Sequence, residues 1–558
     1  NELNWADGKV PAATARVKLV GGETINFPAD AAIGSLELLG GVTHLTAANG
    51  AKLAVGGVFY AEDGTKCYLD VPTTASSALI RSGAHIVCTP STTTTATYRK
   101  IDLAVTGDME IEEDGWIDAV GRGFSPPNGW GQTGTGTSSC WGHGGTLDPV
   151  GLGRTYGSVF EPTLPGTGGS TSHRAEGCDP ELDAHGGGVI RLQVGGTLLL
   201  NGTVSADGWT KQNYYSATGG SVWMTVGRLA GAGLVTAKGG LVLTSTPGCG
   251  GRVAVYRTAE TKEESTFSGV IRANGGNCND TKATARSHGG GGRIAIHLTG
   301  AGDFSQYLGT IQSFGGFVSV SGAQQGGAGT IYLKKQDGSS TLVVDNGAAA
   351  TFPKRAATSS PTPLTAEMTA QAFGDVTVRN TAWLCPEAGC SLRVAGSLTT
   401  ENAAPETIGE KGSSVTLVDA SKESILSGAL AFRSLVCETP GKSIVLDAAS
   451  GSEVTVAPGG MLYLAGDAQS PVVFGNSTAQ GKFTLPNGAV AEVRHATIAG
   501  VDSSGGVGVV ADNSCALGER VVNWTLADMT PGENTWTGAS STVWSDGRNW
   551  SRGRPPME

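Results

Sequence analysis

Several groups of residues in this 558-residue chain have the types and spacing that chemistry needs. Glu110, Glu112, Glu113 and Asp114 crowd into positions 109–115. Glycoside hydrolysis requires two carboxylates about 5–10 Å apart, one of them kept protonated by burial. At a strand end and turn, however, solvated surface charge is the ordinary explanation of such a cluster. Arg252, Arg272 and Arg293 recur on successive apolar runs. A β-helical lyase needs a Lys or Arg base beside acidic groups, whereas a solvent-facing ladder is the commoner reason for this recurrence.

Asp179, Glu181 and Asp183 alternate beside Cys178 in a glycine-rich stretch. Hard oxygens on a flexible loop suit calcium, but the distal Glu of an EF-hand is absent. His143, His173, His185 and His288 also lie in Gly-rich stretches, at spacings that match no metal template. Tyr214-Tyr215 with Trp209 and Trp223 offer a sugar platform, against the commoner role of capping a solenoid or covering its edges. Positions 91–97 are a Ser/Thr run open to glycosylation or simply exposed. Glycine strings such as 289–292 precede strands rather than helices, so they fail as phosphate loops. No catalytic, cofactor-binding or metal residue is therefore assigned. Calcium at Asp179, Glu181 and Asp183 is the one cofactor to consider.

The elements that must position these residues are short strands. Glycine supplies 87 residues, about twice the usual ~7 % share. Charged residues are only 16 %, and no segment shows a capped 3.6-residue period, so helix content should be very low. The net charge of −11 is spread thinly. No basic stripe points to nucleic acid, and no apolar run approaches the ~18 residues of a membrane span. The chain starts without a signal peptide, which leaves a removed leader or an excised segment open.

From about residue 186 one pattern is written five times: glycines, an alternating strand, a turn, a second apolar strand, and a polar Asn/Asp/Gly corner. The glycines before each first strand are Gly188, Gly220, Gly251, Gly292 and Gly329, at steps of 32, 31, 41 and 37 residues. Fixed strands with variable spacers place the insertions in loops at one corner. In 252–256 and 293–297 the aliphatics alternate, which sets Val253, Val255, Ile294 and Ile296 on one face and small Ala254 and Ala295 on the other, beneath a loop. Gly-Gly corners suggest positive φ. The expected fold is all-β, a right-handed parallel β-helix (β-solenoid) with long loop insertions. Its sections are 1–120, an N-terminal solenoid; 121–187, a Gly/Ser/Thr-rich insertion; 188–346, the Gly-rich repeats; 347–525, a C-terminal solenoid; and 526–558, a linker and the start of a next repeat.

Ten cysteines fall into sequence neighbours. The expected pairs are Cys67 with Cys88, Cys140 with Cys178, Cys249 with Cys278, Cys385 with Cys390, and Cys437 with Cys515. They would pin the 121–187 insertion and imply an oxidising, extracellular home; buried reduced thiols are the other reading.

The two ends carry one signature. Positions 4–11 read NWADGKVP and 549–556 read NWSRGRPP; both fit N-W-x-x-G-[KR]-x-P, 545 residues apart. The stretch from Thr535-Trp536-Thr537-Gly538 through Val543-Trp544-Ser545-Asp546 to Asn549-Trp550 resembles the W-x-G…W-S-D…N-W-x-x-G-x-P boundary motif of large repetitive glycine-rich bacterial cell-surface proteins, autotransporter- or adhesin-like. The Gly-rich strands, Tyr156-Gly157-Ser158 and the 491–498 stretch are similar to segments of the same proteins. The resemblance implies location and shape rather than chemistry. Three functions follow, in order: a structural or adhesive surface module, one period of a tandem or head-to-tail polymer; a carbohydrate-binding adhesin domain; and a polysaccharide lyase or hydrolase. The partners implied are further copies of the module and glycans.

Overall fold

The computed structural model describes residues 5–6, 8–91, 98–126, 155–169, 185–210, 216–242, 247–259, 266–278, 289–299, 309–317, 326–348, 361–387, 389–401, 414–449, 451–527, 534–544 and 549–551. It is all-β, with long parallel ladders of the β-solenoid type. The one α-helix among the described residues is Ala366–Thr369, and no helix is long and apolar enough to cross a membrane. The chain forms two compact units: Asn1–Ser339 with Asp345–Thr362, and Ser340–Val344 with Pro363–Glu558.

In the first unit the coils feed two parallel sheets, and from Val189 to Gln312 each coil contributes one strand to each. One sheet includes Val189–Leu200, Ser221–Ala230, Arg252–Arg257, Arg293–Leu298 and Thr330–Lys334. Their register stacks Leu192, Met224, Val255, Ile296 and Leu333 in one column. The other sheet has nine strands. Its later members are Thr203–Ser205, Leu234–Thr236, Val270–Arg272 and Thr310–Gln312, stacking Val204, Val235, Ile271 and Ile311. Both rows are buried except at their last members, Leu333 and Ile311, which are half-buried, and this burial is why period-two sequence suffices to specify the coil.

The glycines do something other than turn the chain. Gly188, Gly220, Gly251 and Gly292 are not among the positive-φ residues. They stand where the two sheets meet without any side-chain layer between them. Gly220 N donates to Ala206 O at 2.7 Å, Gly251 N to Ala237 O at 2.6 Å, Gly292 N to Ala273 O at 2.6 Å and Gly329 N to Ser313 O at 2.6 Å. Facing sheets ordinarily lie ~10 Å apart, separated by interdigitated side chains. Here backbone bonds backbone, so the expectation of positive φ at these corners is replaced by one of close approach.

Corner carboxylates and amides staple each coil to a neighbour. Asp207 Oδ1 accepts from Lys238 N at 2.7 Å, Asn274 Oδ1 from Phe314 N at 2.8 Å, and Asn346 Oδ1 from Gly315 N at 2.8 Å. These staples satisfy amides at the corners, where the sheet ladders end.

The second unit carries two parallel ladders with a conventional apolar core. Leu392, Leu398, Phe432, Leu464, Phe474 and Ile498 are fully buried. Fewer glycines go with larger side chains, and the two ladders are held apart by them. Lys442 is buried as well, its ammonium donating to the carbonyls of Ala395, Asp419 and Lys422 at 2.5, 3.2 and 2.7 Å.

No disulfide joins any cysteines among the described residues. Cys67 lies opposite Ile86, and continuing that register puts Cys88 opposite Leu69. A two-residue offset across one strand spacing separates the Cα atoms by about 8 Å, beyond a disulfide's reach of ~7 Å. Both thiols are buried, and burial pushes their pKa well above the ordinary thiol value. Cys437 is buried beside Leu464 in one ladder, while Cys515 is exposed beside Thr497 in the other. Neighbourhood in sequence thus does not become neighbourhood in space when the register shifts the partner. Cys140 and Cys178 lie outside the described residues.

Candidate functional site

The best-built local constellation sits at 534–544 and 549–551. Trp536 and Trp550 form an antiparallel bridge, closed by Thr537 N to Asn549 O at 2.5 Å and Ser551 N to Thr535 O at 2.8 Å. Asn549 is fully buried. Its Oδ1 accepts from Ser540 N and Ser541 N, both at 2.8 Å, and its Nδ2 donates to Ser541 Oγ at 3.0 Å and Val543 O at 3.1 Å. Two acceptor and two donor positions are thereby filled, which is all that a carboxamide offers.

The adjacent Trp550 is 7 % exposed. Its Nε1 donates to Trp544 O at 3.0 Å. The Trp536 and Trp544 rings lie edge-to-face against it at 5.1 and 4.5 Å, with interplanar angles of 81° and 82°. Such pairs contribute roughly 0.5–1.5 kcal/mol each beyond area burial. Trp544 itself remains 61 % exposed. The arrangement is a clasp: one Asn sets the loop, and two indoles grip a third.

Trp5 carries the same motif. Gly8 N closes a turn onto Trp5 O at 2.9 Å, and Gly8 has φ +67°, which favours glycine there. Trp5, Val10 and Pro11 wall a cavity of about 390 Å³ over the first coil, with Val17, Leu19 and Phe27 opposite. Val10 is 59 % exposed. Asn4 lies outside the described residues.

No protein-family model and no curated protein matches this chain.

The remaining candidates scatter. Glu112 pairs with Arg81 at 2.6 Å and caps Ser82 N at 3.0 Å, and Asp114 occupies a turn at φ +60°. Glu110 faces outward from Met109–Ile111, so the acidic cluster is surface structure. Arg252 and Arg293 are register partners, but they are buried and not a solvent-facing ladder. Residues 155–169 cover them. Arg252 Nη1 donates to Tyr156 O at 3.0 Å and Nη2 to Leu164 O, and Arg293 Nη2 donates to Tyr156 O at 2.8 Å. Tyr156 also lies under the Arg252 guanidinium at 5.1 Å, and burial raises its hydroxyl pKa. Further along the same face, Tyr256 stacks on His297 at 4.4 Å, with Phe160 edge-on at 5.5 Å. Desolvation first, then Lys334, lowers the His297 pKa to about 4. Ala254 and Ala295 are fully buried on the same side, where a larger residue would displace the covering segment.

Arg272 belongs to the other sheet, between Thr236 and Gln312. Asp207, which no catalytic or metal motif singled out, is brought beside it by the stacking. The sequence signal was its place in the repeated polar corner. Burial pushes the Asp207 carboxyl above the usual carboxylate range; Lys238, the Thr236 hydroxyl and the Lys238 amide pull the other way. Trp223 sits between Arg191 and Ala254 in the larger sheet, with the Arg191 guanidinium over its ring at 5.2 Å. Asp179, Glu181, Asp183, His143, His173, His288, Tyr214, Tyr215 and positions 92–97 lie outside the described residues. Among the described residues no three His, Cys, Asp or Glu side chains form a metal-binding group.

Proposed function

We propose that the chain is a structural or adhesive module of an extracellular surface assembly, one period of a tandem or head-to-tail array. The observation that carries this reading is the Trp550 clasp, built on a motif that recurs around Trp5. In the array, the 534–544 segment of a preceding period grips the next period's Trp5 as it grips Trp550 here. The apolar cavity beside Trp5 would then be bounded by that neighbour. The coils are right-handed, because a parallel strand–crossover–strand connection takes that hand in ~98 % of cases. Extracellular placement rests on this array architecture and not on disulfides.

Electron microscopy of the native material, with intact mass under non-reducing conditions, tests the proposal. Rods or filaments with an axial repeat of one period are expected. Asn549→Ala should shorten or disperse them by releasing the loop that holds Trp536 and Trp544. Particles of a single period, unchanged by Asn549→Ala, would overturn it.

A further inference from the structure

A second surface feature lies on the nine-stranded sheet side, where three coils stack in register. Beyond the Thr236, Arg272 and Gln312 register row, the next outward positions are Lys238, Asn274 and Phe314. Three residues later come Leu241, Asn277 and Phe317. The pairs Gly239-Gly240, Gly275-Gly276 and Gly315-Gly316 lie between these rows. The alignment is fixed by Gly239 N to Asn274 O at 2.9 Å, Gly275 N to Phe314 O at 2.8 Å and Cys278 N to Phe317 O at 3.1 Å. At each of these glycines the Cβ position is filled by a neighbouring segment, so the pairs form a close-packed backbone floor, and the side chains on either side stand as the walls of a gutter along the stack. A cleft of about 180 Å³ opens there, lined by Lys238, Arg272, Asn274, Asn277 and Phe314 among others.

The chemistry of the walls is one-sided. Floor amides are consumed, Gly239 N and Gly275 N by the next coil, Gly240 N, Gly276 N and Gly316 N by facing backbone carbonyls, and Gly315 N by Asn346 Oδ1. Arg272 donates Nε to Thr236 Oγ1 at 3.1 Å, which leaves its terminal nitrogens for the cleft. The nearest carboxylate oxygen to the Lys238 ammonium is Asp207 Oδ2 at 3.8 Å. The other Asp207 oxygen is occupied by Thr236 Oγ1 and Lys238 N, both at 2.7 Å. Asn274 and Asn277 have committed their Oδ1 atoms to Phe314 N and Phe317 N at 2.8 and 3.2 Å, so Nδ2 is what Asn277 presents. Two cations face one carboxylate, and the Arg272 guanidinium, the Lys238 ammonium and the Asn277 amide add donors from the walls. Oxoanions take charge-assisted hydrogen bonds from such donors.

We propose that this gutter binds an extended anionic polysaccharide, with a carboxylate or sulfate group against Lys238 and Arg272 and sugar rings along the glycine floor and Phe314. The shape selects a chain rather than a small ion, because the groove continues from coil to coil. The whole protein's charge of −11 opposes general attraction to polyanions, so binding must come from this local site.

The full chain is titrated calorimetrically with polygalacturonate, dextran sulfate and uncharged dextran at low and moderate salt. Binding to one or both charged polymers is expected, and which one binds identifies the group as carboxylate or sulfate. The double variant Lys238→Gln/Arg272→Gln should weaken it at least tenfold at an unchanged unfolding temperature, and Arg191→Gln on the other sheet should not. If both charged polymers fail to bind, if dextran binds equally, or if the double variant binds undiminished, the proposal is overturned. A double variant that does not fold is replaced by Lys238→Gln alone, with a threefold or greater loss expected.

Discussion

Replacing Gly251 by alanine tests why this chain needs its glycines. A Cβ on Gly251 would stand 2.6 Å from Gly219 C and 2.8 Å from Gly220 N, and nearer still to Gly220 O. Carbon contacts settle at about 3.5–4.0 Å, so the neighbouring coil must retreat by about 1 Å. It is held by Gly219 N to Cys249 O at 2.9 Å, Gly220 N to Ala206 O at 2.7 Å and Arg252 N to Gly220 O at 2.9 Å. Overpacking of this kind costs typically 1–3 kcal/mol. Each buried backbone hydrogen bond that is broken adds about 1–3 kcal/mol. Alanine's smaller unfolded-state entropy returns about 0.4–1 kcal/mol. With one or two bonds lost, the expected cost is about 1–9 kcal/mol, with a central value of about 4 kcal/mol.

Gly338 supplies the contrast. It has φ +82° and nothing within 4 Å of an added Cβ, so Gly338→Ala should cost only the left-handed penalty of about 1–2 kcal/mol. Urea unfolding followed by tryptophan fluorescence measures both variants. Amide exchange localises the loss, because long stacks need not unfold as one unit. Faster exchange is expected at residues 219–221 and 251–253 in Gly251→Ala alone. A Gly251→Ala penalty no larger than that of Gly338→Ala would refute the backbone-contact argument.

His297 has a folded-state pKa depressed to about 4 from 6.5. The unfolded chain therefore binds the proton first, and stability is lost as pH falls from about 6.5 to 4. The loss is about 3 kcal/mol at most; unfolding midpoints at pH 7 and pH 4.5 should differ, and His297→Gln should reduce the difference. Arg252→Met removes one of two donors from each of Tyr156 O and Leu164 O, leaving Arg293 Nη2 and Ser221 Oγ in place, and about 1–3 kcal/mol should be lost; limited proteolysis should show faster cutting within 155–169, and an unchanged rate would contradict the packing. Arg252→Lys should not restore it, since a point charge cannot replace the planar fork. A thiol reagent should label Cys515 in the native protein without reductant, and Cys67 and Cys88 only after urea; thiols that appear only after reduction would contradict the register offset.

The coil was readable because its periodicity is imposed twice. Val253 and Val255 must face inward, and Gly251 must lie over Gly220, so strand alternation and glycine spacing repeat together even when the loops between them lengthen. What covers a strand was less readable. Arg252 and Arg293 look like surface cations until residues 155–169, almost a hundred positions earlier than Arg252, supply carbonyls for them. Cysteine pairing failed for a similar reason, because Cys67 and Cys88 sit on adjacent coils but two residues out of register. Asn549 illustrates the opposite case. Its tryptophan-rich surroundings were visible as a motif, although the hydrogen bonds that make it the hub depend on backbone groups that sequence does not single out.

The glycine contacts also bear on where function can reside. At Gly220, Gly251 and Gly292 the two sheets bond directly through their backbones, so no internal cavity can open there and no interior side chain is available for chemistry. Polar groups are displaced to the outer columns, where stacking repeats them at the strand spacing of ~4.8 Å. The Gly-Gly pairs at 239–240, 275–276 and 315–316 are close contacts of the same kind, each Cβ position lying well under 3.0 Å from an atom of a neighbouring segment, and they set a packed floor between the outer walls. The same composition that closes the core thus also floors the gutter beside Lys238 and Arg272. A Gly-to-Ala change in the floor would disrupt folding before it tested ligand binding. The wall residues are the ones to vary, because their heads can be altered while the backbone ladder beneath them is left intact.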